Sequence, residues 1–483
     1  MIILLLGISV IPIVAMIIAL LSKQDRIAEF VNLLSSILTF IFVCPLPWIA
    51  RQGPYYFLNH FVVVDALGAW VMFCVGIVYL LASLYAIGYM RGTQQENNLH
   101  RFYALFALFA WVMFMAPLMN DIAVYWIAIE MSTLVSTFLV GFVQAPQSIE
   151  AAWKYIVIVS AGIAFALLGV ILFYWGGTFI LGAHYHLTWD VLKTIAPKIN
   201  TVLLLPAFLL VLVGFGTKVG LAPMHTWLPD AHSEGPAPVS AMLSGALLNV
   251  AMLGIVRFLF IVNQTAIKNI ADTILILLGI FSLTIAALFI INQKDMKRLM
   301  AYSSVEHMGV LALGFGFGGT FGIAGALYHM IGHSLNKSLM FFGAGNMMHM
   351  FHTKIMDNVS GILKKFPFSG MLWLMGAIAI TGSPPFSLFL SEITVLRAGL
   401  STINSWAVFM MALLLIVIFC GFLNHFRKMY FEQPNCSVQQ VHPKISAWCI
   451  VPMILAIIPL LFLGLYWPHV LWNYFAVVNL QLH

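Results

Sequence analysis

Charge is what this chain has least of. Only 8% of its 483 residues are Asp, Glu, Lys or Arg, while 62% are hydrophobic, against roughly 25% charged in an ordinary soluble domain. So few polar groups cannot cover a water-facing surface, which excludes a soluble enzyme and makes lipid the main solvent. The formal net charge of +6 is dispersed over short loops without a basic face, so it reports topology and not nucleic-acid binding. Cysteine is scarce as well. Cys44, Cys74, Cys420, Cys436 and Cys449 form no Cys-x-x-Cys pair and no Cys/His cluster at ligand spacing, so no metal, haem or iron-sulfur centre is expected. Dinucleotide and flavin fingerprints are missing too, so no cofactor is expected. A basic n-region and a small-residue cleavage site are also lacking. The first 21 residues, apolar from Met1 and running into Lys23 and Arg26, read as a retained membrane helix and not as a signal peptide.

What is present is a succession of apolar runs of about 20 residues, each long enough for a hydrocarbon core of about 30 Å. About fourteen such runs centre near residues 11, 38, 78, 110, 130, 164, 211, 248, 280, 308, 332, 384, 415 and 458. The expectation is an all-α polytopic membrane protein, a single membrane domain over 1–483 with no room for a soluble domain.

Lys and Arg are retained on the cytoplasmic side of membrane proteins. With the N-terminus outside, inner loops hold Lys23, Arg26, Arg91, Arg101, Lys294, Lys297, Arg298, Lys354, Lys364, Lys365, Arg427, Lys428 and Lys444. Outer loops and helix ends hold Arg51, Lys193, Lys198, Arg257, Lys268 and Arg397. The excess predicts both termini on the outer, periplasmic side of the cell inner membrane. Lys154, Lys218 and Lys337 remain, in or at the edge of spans.

A charge at bilayer depth costs roughly 2.5–3.5 kcal/mol even on the lenient insertion scale, so each such residue needs a partner or a function. Glu130 sits near the middle of the fifth span and Lys218 in the seventh, within Gly214-Phe215-Gly216-Thr217-Lys218-Val219-Gly220, where glycines let another helix approach. His329, His333 and Lys337 recur at i, i+4, i+8 and form one polar stripe on the eleventh span. The tenth carries Glu306 beside His307, and Glu392 lies in the twelfth. The bland alternatives are a static Glu130/Lys218 ion pair locking two helices, and hydrogen-bonded packing histidines at 307 and 329. His333 and Lys337 repel when both are charged, which favours sharing one proton. Leu221-Ala222-Pro223 follows Lys218, and Pro384-Pro385 precedes Glu392, so both helices should be interrupted beside an ionisable residue. Such breaks are tolerated at depth only where they line a cavity or are buried in protein. The recurrence of acid, lysine and proline break suggests two inverted five-helix units, about residues 102–262 and 269–431, flanked by helices 1–3 and 14.

The stretch Lys218-Val219-Gly220-Leu221-Ala222-Pro223-Met224-His225-Thr226-Trp227-Leu228-Pro229-Asp230-Ala231-His232, continuing through Pro236-Ala237-Pro238-Val239-Ser240-Ala241, resembles the signature of antiporter-like membrane subunits. These occur in respiratory complex I, multisubunit sodium/proton antiporters and energy-converting hydrogenases. Asp295-Met296-Lys297-Arg298-Leu299-Met300-Ala301-Tyr302-Ser303-Ser304 and the Pro-Pro-Phe before Glu392 extend the resemblance over about residues 60–430. It implies fourteen helices, two inverted repeats and broken seventh and twelfth helices. It further implies that Glu130 and Lys218 handle protons in a first half-channel, that His333 and Lys337 link to a second, and that Glu392 faces its exit. Asn249 departs from the pattern, standing where complex I subunits usually have a lysine. An amide carries no proton, so water or His225 would have to bridge the halves. Asn249 and Glu306-His307-Met308-Gly309 are more similar to the hydrogenase-4 component F branch. The chain ends about a dozen residues after its last span, which implies no long lateral helix.

The leading expectation is a proton-translocating membrane subunit of a redox-driven complex, with Glu130, Lys218, His225, His307, His329, His333, Lys337 and Glu392 as the relay. Desolvation penalises a buried lysine's charge and a nearby carboxylate favours it, so shifting the carboxylate's influence drives uptake and release. With no catalytic centre in the chain, partners must supply the oxidoreductase chemistry: other membrane subunits and peripheral redox subunits carrying the cofactors. The alternatives are a secondary cation/proton antiporter subunit, an energy-coupling partner of a transport complex such as inorganic-carbon uptake, and a scaffold that has lost pumping.

Overall fold

The computed structural model describes residues 1–92, 98–432 and 445–482. Cys436 and Lys444 lie outside the described residues. The apolar runs become helices because a backbone in lipid must satisfy its own hydrogen bonds. In chain order they are α1 (Ile2–Ser22), α2 (Asp25–Val43), α3 (Ala66–Arg91), α4 (Leu99–Leu118), α5 (Ile122–Val140) and α6 (Pro146–Leu181). An interrupted helix follows, α7a (Thr201–Val219) and α7b (Trp227–Glu234), then α8 (Ala237–Val262), α9 (Lys268–Ile291), α10 (Met296–Phe317) and α11 (Gly319–Phe351). A second interrupted helix, α12a (Pro367–Ile380) and α12b (Ser387–Leu400), leads to α13 (Ser405–Phe431), α14 (Ala447–Leu465) and α15 (His469–Leu482).

Among the described residues, eleven helices are long and apolar enough to cross a membrane. The long helices α10 and α11 are outside that count and carry buried polar residues instead. Local capping fixes where key helices start. The Asp121 carboxylate accepts from the amides of Ala123 and Val124 at the head of α5, and Asp295 does the same for Lys297 and Arg298 at α10. α8 is buried along its whole length. Leu21, Phe179 and Phe409 on α1, α6 and α13 are exposed apolar groups, as a lipid-facing surface requires. α6 packs closely along α7a because Gly214 has no side chain: a Cβ there would overlap the backbone of Ala166.

Both proline breaks expected from the sequence are present, between Val219 and Trp227 and between Ile380 and Ser387. Three features were not expected. Tyr55–Phe57 pairs antiparallel with Val62–Val64, Tyr55 facing Val64, where aromatic and β-branched residues meet between α2 and α3. Residues Leu243–Leu247 form a π turn inside α8. The last residues form α15, whose Tyr474 donates to the Ala66 carbonyl. Gln481 also bonds Ala50 and Ala66, while Gly7 lies against Phe42 across the α1/α2 hairpin. The two ends of the chain therefore share one face of the molecule.

Candidate functional site

The first polar cluster joins α5, α6 and α7a. Lys218, fully buried near the end of α7a, donates to Thr133 Oγ1 at 2.8 Å and to the Tyr155 hydroxyl at 2.9 Å. Thr133 in turn donates to Glu130 Oε2 at 3.4 Å, and Ser160 donates to Glu130 Oε1 at 2.5 Å. Among the described residues no carboxylate lies within ion-pair distance of Lys218. Lys218 and Glu130 are thus joined through the Thr133 hydroxyl and not by a direct ion pair. The Gly220 left-handed turn ends α7a, and Trp227 Nε1 donates back at 2.7 Å to the Thr217 carbonyl, which also accepts from the Gly220 amide.

The second cluster is drawn together by the α11 stripe, which meets three different neighbours. Lys337 Nζ donates to the Met300 carbonyl at 3.1 Å and to Ser303 Oγ, both on α10. His333 Nε2 lies 3.2 Å from the Ser244 carbonyl in the π turn of α8. His329 Nε2 lies 3.0 Å from His307 Nδ1, and His329 Nδ1 lies 2.9 Å from Ser391 Oγ on α12b. The His307 ring stands 5.2 Å from that of His333, so the three imidazoles form a continuous row. Glu392 follows Ser391 and packs against Gly382 in the break, with its Oε1 lacking a hydrogen-bond partner. Among the described residues, His307, His329 and Glu392 bring ligand atoms within 4.8 Å of one another. No sequence spacing could reveal that convergence, because the three residues come from three helices.

Between the clusters, Asn249 donates to Ser334 Oγ at 2.9 Å and to the Gly245 carbonyl at 3.1 Å. Among the described residues no hydrogen bond joins it to His225, whose ring lies 6.2 Å from that of Tyr302 and whose Nδ1 has no partner. The link between α8 and α11 runs instead through Ser334, His333 and the carbonyls of Ser244 and Gly245.

Burial separates the charges that the sequence places at span edges and helix ends. Lys154 is half exposed and pairs with Glu150 at 2.6 Å and Asp230 at 3.6 Å, an ordinary surface network. Arg257 and Lys297, assigned to loops or helix ends, are buried. Arg257 pairs with Asp65 at 3.0 Å, and Lys297 donates to the Gly235 carbonyl. His232 is buried with both ring nitrogens unpartnered. These were invisible as buried groups because burial of a loop-proximal cation depends on what folds over it. Arg257 lines a cavity of about 210 Å³ with Tyr56, Asp65, Asp190 and Lys193. Burial there holds the Lys193 ammonium below the usual lysine range, with Asp190 opposing.

The family described as NADH:quinone oxidoreductase/Mrp antiporter, TM, matches residues 119–419. A hydrogenase-4 component F homolog of Methylacidiphilum infernorum (isolate V4) is 35% identical over 380 residues, covering 77% of this chain and 79% of the relative. Among solved structures, a chain of the membrane-bound sulfane sulfur reductase, an archaeal respiratory membrane complex, superposes with a TM-score of 0.89 at 21% identity, covering 99% of this chain and 97% of that one. A chain of the Mrp complex from Dietzia sp. DQ12-45-1b gives 0.87 at 17% identity over 99% of this chain and 97% of that one.

Proposed function

This chain belongs to the NADH:quinone oxidoreductase/Mrp antiporter family of membrane proteins, and from that premise we propose that it is the proton-translocating membrane subunit of a redox-driven complex of the complex I and energy-converting hydrogenase type. The observation that carries the reading is the state of its two buried lysines. Lys218 and Lys337 are both fully buried, Lys218 met by two hydroxyls and Lys337 by a hydroxyl and a carbonyl, with no carboxylate at ion-pair distance among the described residues. A lysine kept for structure alone is best served by a direct, fully bonded acid. One held by neutral oxygens can lose its proton without leaving an unpaired buried anion beside it.

In this reading Glu130 acts on Lys218 through Thr133, and Glu306 is the nearby acid that acts on Lys337. The imidazole row carries protons from Lys337 towards Glu392. His225 serves the first cluster on the Tyr302 side. The two five-helix units, 102–262 and 269–431, each have their fourth helix broken, α7 and α12. The chain sits in the cell inner membrane with both termini on the outer side, and neighbouring membrane subunits and peripheral redox subunits supply cofactors and driving force.

The test is proton uptake by inverted native-membrane vesicles energised with an electron donor, comparing wild type with Lys218→Arg, a side chain that keeps its charge at all working pH. Loss of uptake with electron transfer retained supports the reading, and undiminished uptake overturns it. A second reading, a secondary cation/proton antiporter subunit, draws on the fold shared with the Mrp chain. It predicts proton movement in response to a sodium gradient alone, without any donor.

A further inference from the structure

The sequence carries no metal signature, yet the fold assembles a ligand set from three helices. His307 on α10, His329 on α11 and Glu392 on α12b are all buried, with one ligand atom each inside a 4.8 Å cluster. Ser391 engages His329 Nδ1 at 2.9 Å, which leaves Nε2 facing His307 Nδ1 at 3.0 Å. Two nitrogens bound to one tetrahedral zinc at about 2.0–2.1 Å stand roughly 3.3 Å apart. The imidazole pair is therefore within a few tenths of an ångström of a chelating geometry. Glu392 Oε1 is buried and has no hydrogen-bond donor, which leaves a carboxylate oxygen available to a cation. Ser391 supplies the hydrogen bond on the far imidazole nitrogen that metal-bound histidines ordinarily have.

We propose that His307, His329 and Glu392 form a buried site for a single imidazole-preferring divalent cation. Two imidazoles and a carboxylate select borderline ions, Zn²⁺, Co²⁺ or Ni²⁺, over Na⁺ or Mg²⁺, which favour all-oxygen shells. Three protein ligands leave a fourth position for water. The ligands are also the last members of the proton row. The functional consequence rests on the pumping reading: an imidazole nitrogen that holds a metal carries no proton, so the bound ion arrests passage towards Glu392.

The test uses the full chain, purified through a histidine-free tag, with Co²⁺ as probe. A visible absorption band of four-coordinate Co²⁺ is expected to saturate at one ion per chain and to vanish when Zn²⁺ is added. His329→Gln and Glu392→Gln are expected to weaken Co²⁺ binding at least tenfold. Ser391→Ala keeps the band but weakens binding by about 10–100-fold, as loss of an outer-shell partner does. Size-exclusion elution as wild type identifies variants that fold, and Ser391→Ala decides if His329→Gln does not. No saturating band, or a band indifferent to all three substitutions, overturns the site. Zn²⁺ titration of vesicle proton uptake separates the two readings. Binding without inhibition leaves the site standing and sinks the proton row. Lys218-dependent uptake with no Co²⁺ binding sinks the site alone.

Discussion

At Lys218 one hydroxyl decides between a lock and a relay. A direct pair with Glu130 would hold α5 to α7a and keep the lysine charged, whereas in the proposed relay the Thr133 hydroxyl between them transmits the acid's influence without fixing it. Thr133→Val removes that link while preserving shape. It is expected to cut proton uptake about tenfold, the effect of about 1.4 kcal/mol on a barrier, and Thr133→Ser is expected to restore it. Loss of the two Thr133 hydrogen bonds, from Lys218 and to Glu130, costs about 1–3 kcal/mol of stability at about 0.5–1.5 kcal/mol each, so uptake lost at temperatures well below the lowered thermal midpoint separates the relay from a packing role. Glu130, Lys218, Lys337 and Glu392 were legible in the sequence because an ionisable group inside an apolar run is conspicuous. Thr133, Tyr155, Ser160 and Ser391 were not: hydroxyls are common in membrane helices, and nothing in their spacing says which side chain they face.

Among the elements, the broken helices and the π turn place the chemistry. Gly382, at φ 62°, stands where α12a ends, and a Cβ there would overlap the Glu392 carboxylate. Gly382→Ala is expected to push Glu392 aside and to destabilise by about 1 kcal/mol from the left-handed backbone alone, with proton uptake falling more than stability does. Comparison of vesicle uptake with the thermal midpoint in detergent checks this. The π turn Leu243–Leu247 leaves the carbonyls of Ser244 and Gly245 available to His333, Asn249 and Ser334. Asn249→Ala removes both donations of that amide and is expected to cost about 1–3 kcal/mol, two hydrogen bonds at about 0.5–1.5 kcal/mol each. The proline breaks were readable because Pro removes a donor and clashes with the preceding turn. The π turn was not, since Leu243-Ser244-Gly245-Ala246-Leu247 reads as plain helix and its extra residue is stabilised by contacts from α11.

At the scale of the molecule, charged clamps at the two faces hold the bundle around these breaks. On one face Arg257 ties the end of α8 to Asp65, which also caps α3 through the Gly68 amide. Asp65→Asn leaves a buried guanidinium short of a charged acceptor. It is expected to cost about 1.5–3 kcal/mol, the worth of hydrogen bonds to a charged group, visible as a lower thermal midpoint in detergent. On the other face Asp230 of α7b meets Arg298 at 3.2 Å and Lys154 at 3.6 Å, so the short half-helix is held by α10 and α6. Purification of the chain from its own membrane in mild detergent is expected to bring other membrane subunits and iron-sulfur proteins with it. Mass spectrometry that finds only small antiporter subunits would favour the sodium reading.

The sequence by itself determined the solvent, the succession of membrane helices, the two breaks and the identity of the acids and lysines set within apolar spans. Each of these follows from composition, run length or a residue's own chemistry, and needs no neighbour to be known. Tertiary structure alone decided what those groups face: Thr133 between Glu130 and Lys218, Ser334 against Asn249, and His225 beside Tyr302. It also decided that Arg257 and Lys297 are buried and that Lys154 is not. The convergence of His307, His329 and Glu392 belongs to the same class. Such facts depend on how helices distant in sequence rotate and pack, and the rotation of a nearly all-apolar helix leaves too little amphipathic contrast in one sequence to be read.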